Sequence, residues 1–429
     1  MLSSLITPSR ALSVGALAAL AVPALAQDRT TEQGEAAITD ATQECTAYYY
    51  APSATAVQGG KFPTIWQNAS ILPSDTEAQA VWAKIEPSVP TNIQPKGTRT
   101  SSTQGVTYDA ATDPDCWWTI GTAGHKCTTP KLAGLPNDTW FMPEPMTMGI
   151  GYDDGPNCSH NAFYDFLEQQ NQKATMYYIG SNVLDWPLEA QRALADGHEI
   201  CVHTWSHPYM TSFTSSDAFA ELYYTMQAIK LVTGVTPTCW RPPYGDVDDR
   251  IRAIAHGLNL TTIVWGYDSN DWQNGLNGIT DADVDNFYQE FVNNATAGNF
   301  NEAGGIILTH ELNNYTMSKA IEWYPKLKAA FKNIVPVGVG LNRTQPYVET
   351  NYSLPTFEQY VSGHLTANPS NASTSNSSSQ STGSGGSSSS NSSTSGGSSN
   401  DSSAAVPLAV GSWTAALTTV FAFAAALVL

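Results

Sequence analysis

From Met146 to Gly340, short apolar runs alternate with segments whose apolar positions recur at helical spacing. That alternation marks βαβ units and points to a parallel sheet or barrel. The predicted strands are Met146–Gly151, Ala174–Ile179, Glu199–Val202, Thr238–Trp240, Thr261–Gly266, Gly305–Leu308 and Val335–Val339. Helices are predicted between them at Ser159–Asn171, Leu184–Asp196, Ser216–Val232, Asp248–Ala255, Asp281–Asn294 and Ser318–Asn333.

The pattern changes on either side of this core. Residues 27–145 are rich in Pro, Thr and aromatic residues and predict an irregular N-terminal extension packed on the barrel. Its one predicted helix, Ala78–Ile85, follows a capping box of Ser74 and Glu77. Residues 346–368 are expected to be a C-terminal segment of the folded part.

Both ends predict sorting signals. Arg10 precedes the apolar run Ala11–Ala26, which closes on Ala24-Leu25-Ala26, as in a secretory signal peptide of residues 1–26. Residues 369–403 are almost all Ser, Asn, Gly and Thr, a composition that cannot bury enough apolar surface to order itself, so a disordered Ser-rich stalk is expected. Residues 404–429 are apolar with no basic residue after them, which predicts a GPI-anchor signal attached at Asn400 or a nearby serine, with a membrane-spanning helix as the rival. The expected location is secreted, at the cell wall and the outer face of the plasma membrane.

Composition agrees with that route. Six cysteines, with no CxxC pair, predict disulfides; fifteen pairings are possible, and locality hints only at Cys116 with Cys127. Glycosylation acceptors stand at Asn68, Asn137, Asn157, Asn259, Asn294, Asn314, Asn342 and Asn351. A formal net charge of −19 argues against nucleic acid as a partner and favours neutral or cationic ones.

The polar residues fall at telling places. Asp153-Asp154, His203, Arg241, Asp268 and His310 each come just after a predicted strand. In a (β/α) barrel those ends converge on the face where catalytic groups gather. Singly, each has an ordinary explanation: a turn at Asp153-Asp154-Gly155-Pro156, a packed histidine pair, an extended loop at Arg241, a buried histidine at a strand end. Together they fit hydrolysis at a metal. The spacing of four between His203 and His207 matches one face of a helical turn, so both imidazoles would reach one ion. Two imidazoles and a carboxylate leave zinc open to water and a carbonyl, while a second carboxylate and a separate histidine offer a base and an acid. The same ligand set also suits iron in an oxygenase, which would not need that acid–base pair.

Five motifs in this order resemble those of the polysaccharide deacetylases, a carbohydrate esterase family with chitin, peptidoglycan and acetylxylan deacetylases among its members. They are Gly151-Tyr-Asp-Asp-Gly-Pro156, His203-Thr-Trp-Ser-His207, Arg241-Pro-Pro-Tyr-Gly245, Asp268-Ser-Asn-Asp-Trp272 and Leu308-Thr-His310, and the chain most resembles the fungal chitin deacetylases. Tyr152 and Gly151 stand where the family usually has phenylalanine and threonine. The resemblance implies an α/β, distorted (β/α)7-type barrel at 146–345. It implies Asp154, His203 and His207 as metal ligands, Asp153 as base, His310 as acid, and Arg241 and Asp271 as their respective partners. The backbone amide of Tyr244 would help hold the oxyanion, and Trp272 and Leu308 would line the acetyl pocket. Zinc is the expected metal and cobalt a possible substitute. A monomer acting on chitin or its oligomers within cell-wall polysaccharide is expected. Another acetylated polysaccharide, or a silent wall-binding role, is the alternative. Trp205, Tyr209 and Tyr267 lie near the motifs and either pack in the core or stack on sugar rings.

Overall fold

The computed structural model describes residues 28–120 and 126–363. The predicted signal peptide, stalk and anchor signal lie outside the described residues. Among the described residues no helix is long and apolar enough to cross a membrane.

The strands are β1 (Phe141–Met142), β2 (Thr147–Gly155), β3 (Thr175–Tyr178), β4 (Glu199–Val202), β5 (Cys239–Trp240), β6 (Thr261–Thr262), β7 (Tyr267–Asp268), β8 (Gly304–Leu308) and β9 (Asn333–Pro336). β2 is the hub, with β8 along one edge and, on the other, β9 against its first half and β3 against its second, all parallel. From β3 the sheet continues through β4 and β5 to β6, while β7 lies on β8, so the parallel strands curl round into a distorted (β/α)7-type barrel. Every residue of β2 is buried, as expected of a strand covered on both faces.

In the extension the helices are α1 (Glu32–Ala36), α2 (Ala41–Glu44), α3 (Ala51–Gln58) and α4 (Thr76–Ile85). Around the barrel run α5 (Asn161–Gln169), α6 (Gly180–Asp185), α7 (Pro187–Ala195), α8 (Ser215–Thr233), α9 (Asp249–Gly257), α10 (Asp281–Thr296) and α11 (Asn314–Ala330). α12 (Val337–Gly340) and α13 (Phe357–Val361) follow β9.

Several elements depart from expectation, each for an identifiable reason. The helix expected at Leu184–Asp196 is two, because Pro187 pushes Trp186 out of the helical region, to φ −128° and ψ 61°. The strand expected at Thr261–Gly266 is cut short: Thr139 inserts beside it, its N–H donating to the Thr262 carbonyl and its carbonyl accepting from Val264. The strand expected at Val335–Val339 ends at Pro336, since the next amides turn to buried side chains under the barrel, Val337 to Thr175 Oγ1 and Gly338 to Glu199 Oε2, both at 2.8 Å. α4 is capped by Asp75 rather than Ser74; the Asp75 carboxylate accepts from the Ala78 amide at 2.9 Å.

The extension packs on the barrel through Ala69, Ala78 and Ile85, all in its core. Disulfides join Cys45 to Cys158, Cys116 to Cys127 and Cys201 to Cys239. The first ties the extension to the loop after β2; the third ties β4 to β5.

Candidate metal centre and active site

The end of β2 places two carboxylates in one site. Neighbouring strand residues normally face opposite ways. Here the pairing of β2 with β3 shifts register between Asp153 and Gly155, and Asp154 sits at φ 73°, in the left-handed region a side chain rarely adopts. The irregularity brings both side chains to the same histidine: His203 Nε2 lies 3.3 Å from Asp154 Oδ1 and 3.7 Å from Asp153 Oδ2. Asp153 is also the ladder partner of His310; its amide donates to the Thr309 carbonyl at 3.0 Å and its carbonyl accepts from Glu311 at 2.8 Å. The candidate base and acid are therefore set side by side by main-chain pairing.

His207 Nε2 stands 3.1 Å from Asp154 Oδ1, and the donor atoms of Asp154, His203 and His207 all lie within 4.8 Å of one another. The helical turn expected for the two histidines is absent. They lie on an irregular loop in which Thr204 (φ 66°) and His207 (φ 58°) are both left-handed. The loop doubles back on itself, with the His207 amide donating to Thr204 Oγ1 at 3.1 Å. His203 Nδ1 lies 2.8 Å from the Arg241 carbonyl, an acceptor only, so Nδ1 donates there and Nε2 faces the carboxylate.

Around this triad the charges are paired. Arg241, fully buried, donates from Nη1 to Asp153 Oδ1 at 2.7 Å, and its guanidinium lies 3.9 Å from the centre of the Tyr177 ring. His310 Nδ1 is 2.6 Å from Asp271 Oδ1, and the His310 amide donates to Asp271 Oδ2 at 3.0 Å. Burial opposes charge on His310, but the Asp271 carboxylate, with Asp154 and Asp153 beyond it, outweighs burial and pushes its pKa up to about 10. Burial, with the Asp271 and Asp153 charges behind it, raises Asp268 to about 6, against the hydrogen bond it accepts from the Asn270 amide and the pull of His310.

A sequence profile described as polysaccharide deacetylase matches residues 143–263. Chitin deacetylase 2 of Cryptococcus neoformans var. grubii is 55% identical over 346 residues, covering 80% of this chain and 74% of that protein. This chain belongs to the polysaccharide deacetylase family. The chitin deacetylase of Amylomyces rouxii is 46% identical over 315 residues, covering 72% of this chain and 73% of its own length. Among solved structures, the chitin deacetylase of Colletotrichum lindemuthianum superposes with a TM-score of 0.44 at 23% identity, covering 48% of this chain and 92% of that one.

Most of the predicted site residues of this deacetylase family member meet in one place. Asp153, Asp154, His203, His207, Arg241, Asp271 and His310 are joined by the contacts above. Tyr244, at φ 58° and 42% exposed, sets its hydroxyl 3.2 Å from His207 Nδ1 and stacks on Tyr209 at 4.1 Å. Leu308 is buried at the end of β8 opposite Asp268, and Trp272 follows Asp271, half-buried. Two of the aromatics near the motifs are packing residues: Trp205 is fully buried against Phe62, and Tyr267 lies between Phe291 and Phe300. Gly245, at φ 68°, is close enough to Trp118 that any side chain there would overlap the indole.

Further residues hold the site that the sequence reading did not single out. Glu221, buried on α8, accepts from the amides of Ala69, Trp205 and Ser206, and so clamps the histidine loop. Asn182 donates from Nδ2 to the Asp154 carbonyl at 2.7 Å. Glu311 accepts from the Asn157 amide and the Tyr164 hydroxyl, both at 2.9 Å, behind the Asp153-Asp154 loop. Asp246 accepts from Trp117 Nε1 and from the Thr211 amide, each at 2.8 Å. Glu311 and Asp246 directly follow motif residues, which is a usable signal. Glu221 sits inside an ordinary helical pattern and Asn182 just before one, and neither carries a signal.

Proposed function

We propose that this chain hydrolyses the N-acetyl groups of β-linked N-acetylglucosamine in chitin, giving acetate and glucosamine units. The observation that carries the reading is the Asp154–His203–His207 triad with a base candidate, Asp153, and an acid candidate, His310, paired beside it. The choice of chitin rests on the names of the relatives, two of which are 46% and 55% identical.

The triad fits a divalent metal. Among the described residues Asp154 Oδ1 is buried with no hydrogen-bond partner, although both Nε2 atoms lie close to it. With Nδ1 turned to the Arg241 carbonyl, His203 points Nε2 at the same carboxylate oxygen that His207 Nε2 faces, so the three donor atoms converge on one point. Two imidazoles and one carboxylate suit zinc first and accept cobalt. When bound, such an ion supplies Lewis acidity, polarising the acetyl carbonyl and acidifying water.

The chain's own groups supply the proton movements. Asp153, oriented by Arg241, takes a proton from the attacking water. His310, kept protonated by Asp271, gives one to the departing amine nitrogen. The Tyr244 amide, presented by its left-handed backbone, donates to the oxygen on which negative charge develops. Atoms balance as water plus amide giving acetate and amine.

We place this activity outside the cell, with the protein secreted through residues 1–26, raised on the stalk and held by a GPI anchor. Its role there would be cell-wall modification. Three disulfides support passage through an oxidising compartment.

Acetate release from chitin oligomers, acetylxylan and peptidoglycan tests the proposal, before and after chelation and after zinc is restored. Release from chitin that chelation stops and zinc restores is the expected result. Preference for another polymer would move the substrate, and no release from any of them would end the enzyme reading.

A further inference from the structure

The N-terminal extension lies outside the 143–263 match, yet one stretch of it borders the catalytic centre. The Thr64 carbonyl accepts from Trp205 Nε1 at 3.1 Å, and the Ala69 amide donates to Glu221 at 2.8 Å. Between them, Trp66 is held twice by α6: its amide donates to Ser181 Oγ at 2.9 Å and its indole N–H to Asp185 Oδ2 at 2.8 Å. Ser181 and Asp185 are four apart and share a helix face. Asn182, the next residue after Ser181, bonds the backbone of the metal-ligand candidate Asp154.

Trp66 is unusual in two further respects. Its φ is 63°, a strained region for a bulky aromatic, and its side chain is nonetheless 49% exposed. An exposed tryptophan alone is ordinary. One on a strained backbone, with its ring fixed by a carboxylate, presents a rigid flat face to solvent. Beside it opens a cavity of about 170 Å³ lined by Tyr48, Tyr49, Tyr50, Val57, Ile65 and Asp185. Tyr49 is 71% exposed. Asp185 belongs both to the wall of this cavity and to the anchor of Trp66.

Resting on the proposed chitin reading for the identity of the sugar, we propose that Trp66 and the tyrosine-lined cavity form a secondary carbohydrate-binding site. It would hold a neutral amino-sugar chain beyond the unit being deacetylated. Flat aromatic faces match the apolar C–H faces of pyranose rings, and the Asp185 carboxylate is an acceptor for their hydroxyls. α6 joins this surface to the end of β2, through the bond from Asn182 to the Asp154 carbonyl.

The test uses the secreted protein and its Trp66→Ala and Tyr49→Ala variants. Two quantities are read: co-sedimentation with insoluble chitin, and the ratio of kcat/KM for longer over shorter chitin oligomers. With Trp66→Ala both should fall by about tenfold, the scale of losing one aromatic face. Tyr49→Ala should weaken sedimentation in the same direction, and at so exposed a position it leaves the fold intact even if Trp66→Ala does not. A purely structural role for Trp66 would depress all substrates alike and leave the ratio unchanged; that result, or sedimentation unaltered in Tyr49→Ala, overturns the proposal. Absence of acetate release by the unaltered protein defeats the enzymatic reading instead, and chitin sedimentation then still decides the binding site.

Discussion

Asp153→Asn separates the candidate base from the candidate ligands and perturbs stability by an amount that can be worked out in advance. Asp153 accepts at 2.7 Å from Arg241, and both residues are buried. Among the described residues Arg241 Nε and Nη2 have no hydrogen-bond partner, so Asp153 is the main compensation for a buried charge. Removing one partner of such a pair costs about 3–5 kcal/mol; asparagine keeps an acceptor oxygen, which places this case near about 3 kcal/mol. At roughly 2–4 °C per kcal/mol the melting temperature should fall by about 6–12 °C. Loss of a general base should lower kcat by about 10²–10⁴-fold. Zinc should stay bound, because Asp154, His203 and His207 are untouched, whereas His207→Ala should lose it. Acetate release, thermal melting and metal content of purified variants are the three readouts. Zinc lost from Asp153→Asn but kept by His207→Ala would refute the assignment, as would a fall in kcat of less than about tenfold.

Asp271→Asn removes the carboxylate that holds His310 at about 10, so the alkaline limb of the pH–kcat profile should move to lower pH; an unmoved limb would clear His310 of the acid role. The stability from this pair follows the same sign: a raised histidine pKa stabilises fully below about 6.5 and is lost as pH rises through about 10, so urea midpoints of the two proteins should converge at high pH. Glu221→Ala strips the acceptor from three amides around the histidine loop and should cost roughly 3 kcal/mol or more, with weaker zinc binding by titration. Replacing Cys201 and Cys239 by alanine opens a crosslink spanning 38 residues, worth about 4 kcal/mol on the chain-entropy account, and should lower both the denaturant midpoint and kcat, since His203 and Arg241 each follow a bridged cysteine by two positions.

The order of apolar and polar runs determined the barrel, because a strand buried on both faces must be apolar throughout and its end must carry whatever the site needs. Asp153, Asp154, His203, Arg241 and His310 were readable for that reason, and their five-motif order placed them in a family. Tertiary structure alone decided how they meet. The periodicity of His203 and His207 suggested a helical turn, while the structure uses two left-handed residues, with Glu221 on the following helix α8 taking up the loop's amides. The placing of Asp153 and Asp154 in one site depends on a register shift that no residue pattern announces. The Cys45–Cys158 and Cys201–Cys239 pairings and the docking of Trp66 on α6 likewise depend on contacts between segments far apart in the chain. Local patterning records what each segment prefers; the position of one segment against another follows from packing, which the order of residues encodes only collectively.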